Sequence, residues 1–262
     1  MTRRPNLEPV GDNSVLYEGW QNDDMNTATP HRKLVLFDMD GTLVNVSRWH
    51  WAVFVRTMLA VYGFDPTAYY ERGAHAGDTQ ANMIRAVCQR AGLEEALIEK
   101  RLPEAVATLA ATAVQVLPAD LRAHVLPGAV PLLEALHGRG QALGLVTGAL
   151  CPTVQAILER TALLRFFPAR ACGDEGNERQ ELVRLVMERA RAAYDLGVEA
   201  MDVVVLGDAP LDIQAGQAVG ARVVAVATGS HTEEELGGYL PDAVLPSLED
   251  WQRALQAILN SH

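Results

Sequence analysis

Four short apolar runs mark the chain, at Leu34 to Phe37, Ala142 to Val146, Val203 to Leu206 and Val223 to Val226. None alternates with polar residues, so each suits a strand covered on both faces, as in a parallel sheet. Segments with helical spacing lie near 128–138, 150–161, 178–195 and 210–219. Together they give the βαβα order of a doubly wound, Rossmann-like α/β fold. Right-handed crossovers bring the strand tips to one edge. Ligands of such sheets bind beyond the carboxyl ends of the strands, where Asp38, Thr147 and Asp208 fall.

The interval 47–125 breaks this rhythm, with helical patterns and no convincing strand. Trp49 to Tyr62, Asp78 to Ala91 and Glu94 to Leu117 read as amphipathic helices, the third bent or split by Pro103. The expectation is a helical insert at 47–125 within a core made of 31–46 and 126–262, with Pro127-Gly128 marking re-entry. Residues 1–30 are rich in Pro, Gly, Asn and Asp with few apolar side chains to bury, and read as a disordered tail.

Chemistry concentrates at the strand ends. After the first run the chain reads Asp38-Met39-Asp40-Gly41-Thr42-Leu43-Val44. The glycine ends the strand and lets two carboxylates turn toward one cavity. After the third come Gly207-Asp208-Ala209-Pro210-Leu211-Asp212-Ile213, where Pro210 suits a first helical position and leaves Asp208 in the loop and Asp212 in the first turn. After the second, Thr147-Gly148-Ala149 can cup phosphate oxygens with a hydroxyl and amides, although a helix-capping role explains Thr147 as well.

These motifs, in this order, resemble those of the haloacid dehalogenase (HAD) superfamily, and the insert resembles its helical C1 cap, in a layout similar to phosphoglycolate phosphatases. The resemblance implies phosphoryl transfer through an aspartyl-phosphate, with Asp38 as nucleophile and Asp40 as proton donor to the leaving oxygen. It implies Mg²⁺ held by Asp38, the Asp40 carbonyl and Asp208, with Asp212 binding through water or simply favouring a helix dipole; hard oxygen donors suit this ion. A lysine is usual between the second and fourth motifs, yet the only lysines are Lys33 and Lys100. Arg179, opening the helix after Gly173 to Glu178, is the best replacement, against a reading as a solvated helix residue, with Arg184 the weaker candidate. Cap loops of this superfamily reach the site, which nominates Gly77, Asp78 and Thr79, although a helix N-cap accounts for them equally. His50 is nominated from the first cap helix, against packing in the Trp49–Trp51 cluster.

The expected activity is Mg²⁺-dependent hydrolysis of a small phosphorylated metabolite. A phosphomutase similar to β-phosphoglucomutase would use the same motifs, and a silent binding module draws support from the missing lysine. A dehalogenase is disfavoured by Asp40 and the metal carboxylates. A net charge of −11 and a pI near 5.1 argue against nucleic acid and anionic membranes as partners. Monomer and homodimer are both compatible with the sequence. Cys88, Cys151 and Cys172 lack metal-ligand spacing, and their odd number points away from disulfides and toward a reducing cytoplasm; Cys151 reads as a small helix residue. The N-terminus has no signal-peptide segment, and no run approaches the ~20 apolar residues of a membrane span.

Overall fold

The computed structural model describes residues 32–71, 73–195 and 202–260. The expected N-terminal tail lies outside them. Strand β1 (Lys33–Phe37) is followed by helices α1 (Ser47–Tyr62), α2 (Gln80–Arg90) and α3 (Glu95–Val116). The chain continues with α4 (Ala129–Gly138), β2 (Ala142–Val146), α5 (Cys151–Arg160), β3 (Ala169–Ala171) and α6 (Arg179–Tyr194). It ends with β4 (Asp202–Gly207), α7 (Pro210–Ala218), β5 (Arg222–Val226), α8 (Glu233–Gly237), β6 (Ala243–Leu245) and α9 (Trp251–Leu259).

Six strands among the described residues form one parallel sheet in the order β3-β2-β1-β4-β5-β6. Successive strands proceed outward in one direction from β1 to β3 and in the other from β4 to β6, so the order reverses between β1 and β4. Phe37 pairs with both Leu145 and Leu206, which sets Asp38, Thr147 and Asp208 at neighbouring strand tips beside that reversal.

The unbroken apolar runs are explained by the two faces of β1. Val35 and Phe37 join Leu132, Leu133, Ile157 and Ile258 on the side of α4, α5 and α9. Leu34 and Leu36 join Leu182, Val183 and Val186 of α6 on the other. Helices α1, α2 and α3 have a third core of their own, including Phe54, Met58, Ile84, Val87, Leu102 and Leu109, which Leu150 from the start of α5 enters.

Three details differ from the sequence pattern. Pro103 does not split α3, which runs for 22 residues through it. An interior proline costs ~3 kcal/mol or more, and the burial of Ile98 and Leu102 before it and Ala105, Leu109 and Ala113 after it offsets this on one continuous face. Edge strands β3 and β6 have three residues each, too few for a recognisable run. Helix α9 lies beyond the segments legible as βαβα, capped by Asp250, whose carboxylate accepts the Arg253 N–H at 3.1 Å.

Candidate active site

Asp38, Thr147 and Asp208 owe their places to strand ends. The Asp38 N–H donates to the Leu206 carbonyl at 2.8 Å, extending the β1–β4 pairing by one residue before the turn. Gly41 then takes φ +101°, and a Cβ there would stand 2.6 Å from Asp208 Cγ. Glycine therefore supplies both the turn and the room for the second carboxylate. Thr42 Oγ1 donates to Asp208 Oδ1 at 3.2 Å. Asp38, Asp208 and Asp212 are all buried, and one carboxylate oxygen from each falls within 4.8 Å of the others.

Arg179, the first residue of α6, is buried against this cluster. Its Nη2 donates to Asp38 Oδ1 and to the Val146 carbonyl, the latter at 3.1 Å, and forms an ion pair with Asp212 Oδ1. Its Nε and Nη1 are buried with no partner among the described residues. Arg184, one turn further along, is exposed. Asp212 also accepts the Ala209 N–H on Oδ2 at 3.2 Å, closing the first turn of α7 behind Pro210.

Asp40 is half-buried and takes three contacts: the Val46 N–H at 2.8 Å and Ser47 Oγ at 3.4 Å on Oδ1, and His50 Nδ1 at 3.0 Å on Oδ2. His50 thus reaches Asp40 rather than packing between the tryptophans. Thr147 Oγ1 accepts the Ala149 N–H at 3.2 Å.

The segment 73–79 lies directly on the Thr147–Ala149 loop. Gln80 N–H donates to the Gly148 carbonyl at 3.0 Å, Leu150 N–H to Gln80 Oε1 at 3.3 Å, and Asn82 Nδ2 to the Asn177 carbonyl at 2.7 Å. A cavity of about 360 Å³ remains between these parts. It contains Asp38, Asp40, Asp208 and Arg179 with Thr147, Gly148 and Ala149, and Gly77, Asp78 and His50 also line it. Thr79 and Asp212 are not among its lining residues. The Thr79 hydroxyl caps α2 by accepting the Asn82 N–H at 3.3 Å, so its nomination as a substrate contact is corrected to a structural role.

The family model of haloacid dehalogenase-like hydrolases matches residues 35–226. The chain belongs to that family. Among its relatives, a Pseudomonas aeruginosa protein named "Phosphoglycolate phosphatase 1" is 26% identical over 226 residues, covering 85% of this chain and 79% of its own. A Dickeya dadantii protein, "Probable phosphatase IndB", is 25% identical over 232 residues, covering 87% and 95%. The crystal structure of a β-phosphoglucomutase from Clostridium difficile shares the fold with a TM-score of 0.62 at 14% identity, covering 87% of this chain and 97% of that one.

In this HAD-like hydrolase the electrostatics of the cluster are unbalanced. Burial pushes the Asp38 carboxyl up to about 7, against the pull of Arg179 and with the added repulsion of Asp212. Burial also raises Asp208 well above the usual carboxylate range, reinforced by the charges of Asp38, Asp212 and Asp40. For Arg179, burial works against the charged form, but Asp212 and Asp38 outweigh it and hold the proton on. One guanidinium cannot neutralise three buried carboxylates, so the oxygen-rich cluster fits a hard divalent cation.

Two features escape a reading of the sequence. Thr228, Gly229 and Ser230 also line the cavity from the tip of β5, with Thr228 Oγ1 donating to the Gly41 carbonyl at 2.5 Å; their signal was the strand-tip position itself. Cys151 and Cys172 are joined as a disulfide, with Cα atoms 5.2 Å apart, while Cys88 is free and buried. Pairing of Val146 with Ala171 and a 2.8 Å bond from Gly173 N–H to the Ala149 carbonyl bring the two loops together. The cysteine count therefore gives no argument for a reducing compartment. No helix among the described residues is long and apolar enough to cross a membrane.

Proposed function

We propose that this hydrolase is a Mg²⁺-dependent phosphatase acting on a small phosphorylated metabolite through an aspartyl-phosphate on Asp38. The observation that carries this reading is Arg179: it is buried on Asp38 and Asp212 with Nε and Nη1 unpartnered, beside a cavity that also contains Thr147 and Gly148. A buried guanidinium left with free donors suits a phosphoryl group, which offers several acceptor oxygens.

In the first step an Asp38 oxygen forms a bond to phosphorus as the ester P–O bond breaks, and Asp40 gives its proton to the leaving oxygen. His50 and the Val46 N–H hold the Asp40 carboxyl in place for this. In the second step Asp40 takes a proton from water as the water oxygen attacks phosphorus, and the bond to Asp38 breaks to release phosphate. Arg179, the Thr147 hydroxyl and the loop amides orient the phosphoryl oxygens. Mg²⁺ held by Asp38, the Asp40 carbonyl and Asp208 would offset the repulsion between the anionic ester and the attacking carboxylate. Asp212 serves that arrangement by holding Arg179. Helices α1 to α3 act as the cap, and their contacts with Gly148, Leu150 and Asn177 shield the site from water.

The test is net phosphate release from a panel of phosphate esters with and without Mg²⁺, in the parent and in Asp38→Asn. Release that needs both Mg²⁺ and Asp38 is expected. Parental turnover by Asp38→Asn would overturn the nucleophile assignment, and phosphoryl return to the substrate without net release would point to a mutase.

A further inference from the structure

The outer wall of the cavity has a chemistry of its own, distinct from the groups that face phosphorus. Trp51, Phe54 and Tyr70 form a continuous aromatic face, with the Trp51 ring 4.6 Å from Tyr70 and 5.7 Å from Phe54 between centroids. His75 stands at its edge, 6.3 Å from the Tyr70 ring, on the segment seated against Gly148. Its Nδ1 is 3.9 Å from Asp78 Oδ2. Asp78 is fixed in turn by the Thr79 N–H at 2.7 Å and Asn82 Nδ2 at 2.9 Å, both on Oδ1. The other ring nitrogen of His75, Nε2, is buried without a partner among the described residues. Leaving such a group unpaired is costly, so a cavity wall that keeps one is arranged around a partner that the described residues do not supply.

The charge of the wall narrows what that partner is. Its carboxylates are Asp40 and Asp78, and among the described lining residues the one guanidinium or ammonium group is Arg179, already engaged by Asp38 and Asp212. Among the described lining residues a second carboxylate on the substrate would meet two acids and no free guanidinium or ammonium group. A hydroxyl both donates and accepts, so it pairs with Nε2 in either imidazole tautomer. An aromatic face with a few placed polar groups orients a ring-shaped ligand.

We infer that His75 is a specificity residue that hydrogen-bonds a hydroxyl of an uncharged, polyhydroxylated leaving group, the sugar of a sugar phosphate, while Trp51 and Tyr70 take the C–H face of its ring. This rests on the phosphatase reading above, and the experiment separates the two. Initial rates are measured with Mg²⁺ on ribose 5-phosphate, glucose 6-phosphate, 2-phosphoglycolate and p-nitrophenyl phosphate for the parent, His75→Ala and His75→Gln. The parent should favour a sugar phosphate over 2-phosphoglycolate by roughly tenfold or more in kcat/KM. His75→Ala should raise KM for that sugar phosphate about tenfold, the loss of one hydrogen bond to a buried partner, with a smaller effect on kcat and on p-nitrophenyl phosphate, which has no hydroxyl to offer. His75→Gln should recover part. A preference for 2-phosphoglycolate, or equal losses on all four esters, overturns the inference while leaving the phosphatase reading intact. Should the parent hydrolyse none of them, that reading fails, and calorimetric titration of Asp38→Asn with ribose 5-phosphate and 2-phosphoglycolate, with and without His75→Ala, decides the inference by the same ranking in affinity.

Discussion

Gly148 is where the Thr147–Ala149 loop and the segment leading into α2 share space, and adding one methyl group there tests whether that contact matters for catalysis. A Cβ on Gly148 would overlap the Asp78 carbonyl oxygen, lie 2.7 Å from its carbon and 3.2 Å from Thr79 Cα. Carbon atoms rest at ~3.5 Å or more, so the 2.7 Å carbon contact alone requires a displacement of about 0.8 Å, and the overlapping oxygen requires a larger one. The atoms in the way are backbone of the residues that cap α2, so no side chain can simply rotate aside. The move would also loosen the Gln80 bond to the Gly148 carbonyl and the Leu150 bond to Gln80 Oε1. At about 1 kcal/mol each, these set the stability loss near ~2 kcal/mol, roughly 4–8 °C in Tm for a chain of this size. Catalysis is more sensitive, since a misplacement of about 1 Å costs on the order of 10²-fold. Steady-state kinetics of Gly148→Ala on p-nitrophenyl phosphate, beside its thermal melt, should therefore show kcat/KM down ~10²-fold with a folded protein. Activity within about threefold of the parent would refute the reasoning, and so would a loss of activity that merely follows the loss of folded protein.

Arg179→Ala should cost ~10²-fold or more in kcat by analogy with lost oxyanion donors, and Arg179→Lys should recover only part because an ammonium lacks the planar fork; Arg184→Ala, altering an exposed residue, is the control, and the assignment fails if it alone is damaging. Because burial raises Asp38 to about 7, its contribution to folding is full below the unfolded value of 3.8 and is lost as pH rises through about 7, and Asp208, raised by burial too, acts in the same direction. Mg²⁺ takes the ionised forms, so calorimetry should show it raising Tm more at pH 8 than at pH 6, and an equal shift at both would count against the cluster as the metal site. Alkylation of denatured protein followed by mass measurement should find one reactive thiol, Cys88, without reductant and three with it; three in both would exclude the Cys151–Cys172 bond.

The doubly wound sheet was legible because β1, β2, β4 and β5 are buried on both faces and so had to be written as unbroken apolar runs. Edge strands carry less of that burden, and β3, Ala-Arg-Ala, is indistinguishable from loop until its partner is known. The same reasoning separates the two halves of the cavity. Asp38, Thr147 and Asp208 of its floor each stand one place past a strand end, where topology alone brings them together. Its outer wall draws on α1, Tyr70, the segment 73–78 and the tip of β5, whose meeting depends on the docking of Gln80 and Asn82, so nothing in the neighbourhood of His75 in the chain announces its surroundings.

Asp212 has a partner that its motif does not announce, besides its place in the carboxylate cluster with Asp38 and Asp208. At the first turn of α7 its position suggests a water-bridged metal contact or a helix-dipole partner, and both are local readings. The structure gives it Arg179, 33 residues upstream on a different helix, and the Ala209 N–H. Contact with both Asp38 Oδ1 and Asp212 Oδ1 divides the Arg179 charge between two carboxylates and leaves the other Asp38 oxygen outside the ion pair. In the proposed mechanism Arg179 meets both carboxylates through Nη2 and has Nε and Nη1, unpartnered among the described residues, for the phosphoryl group.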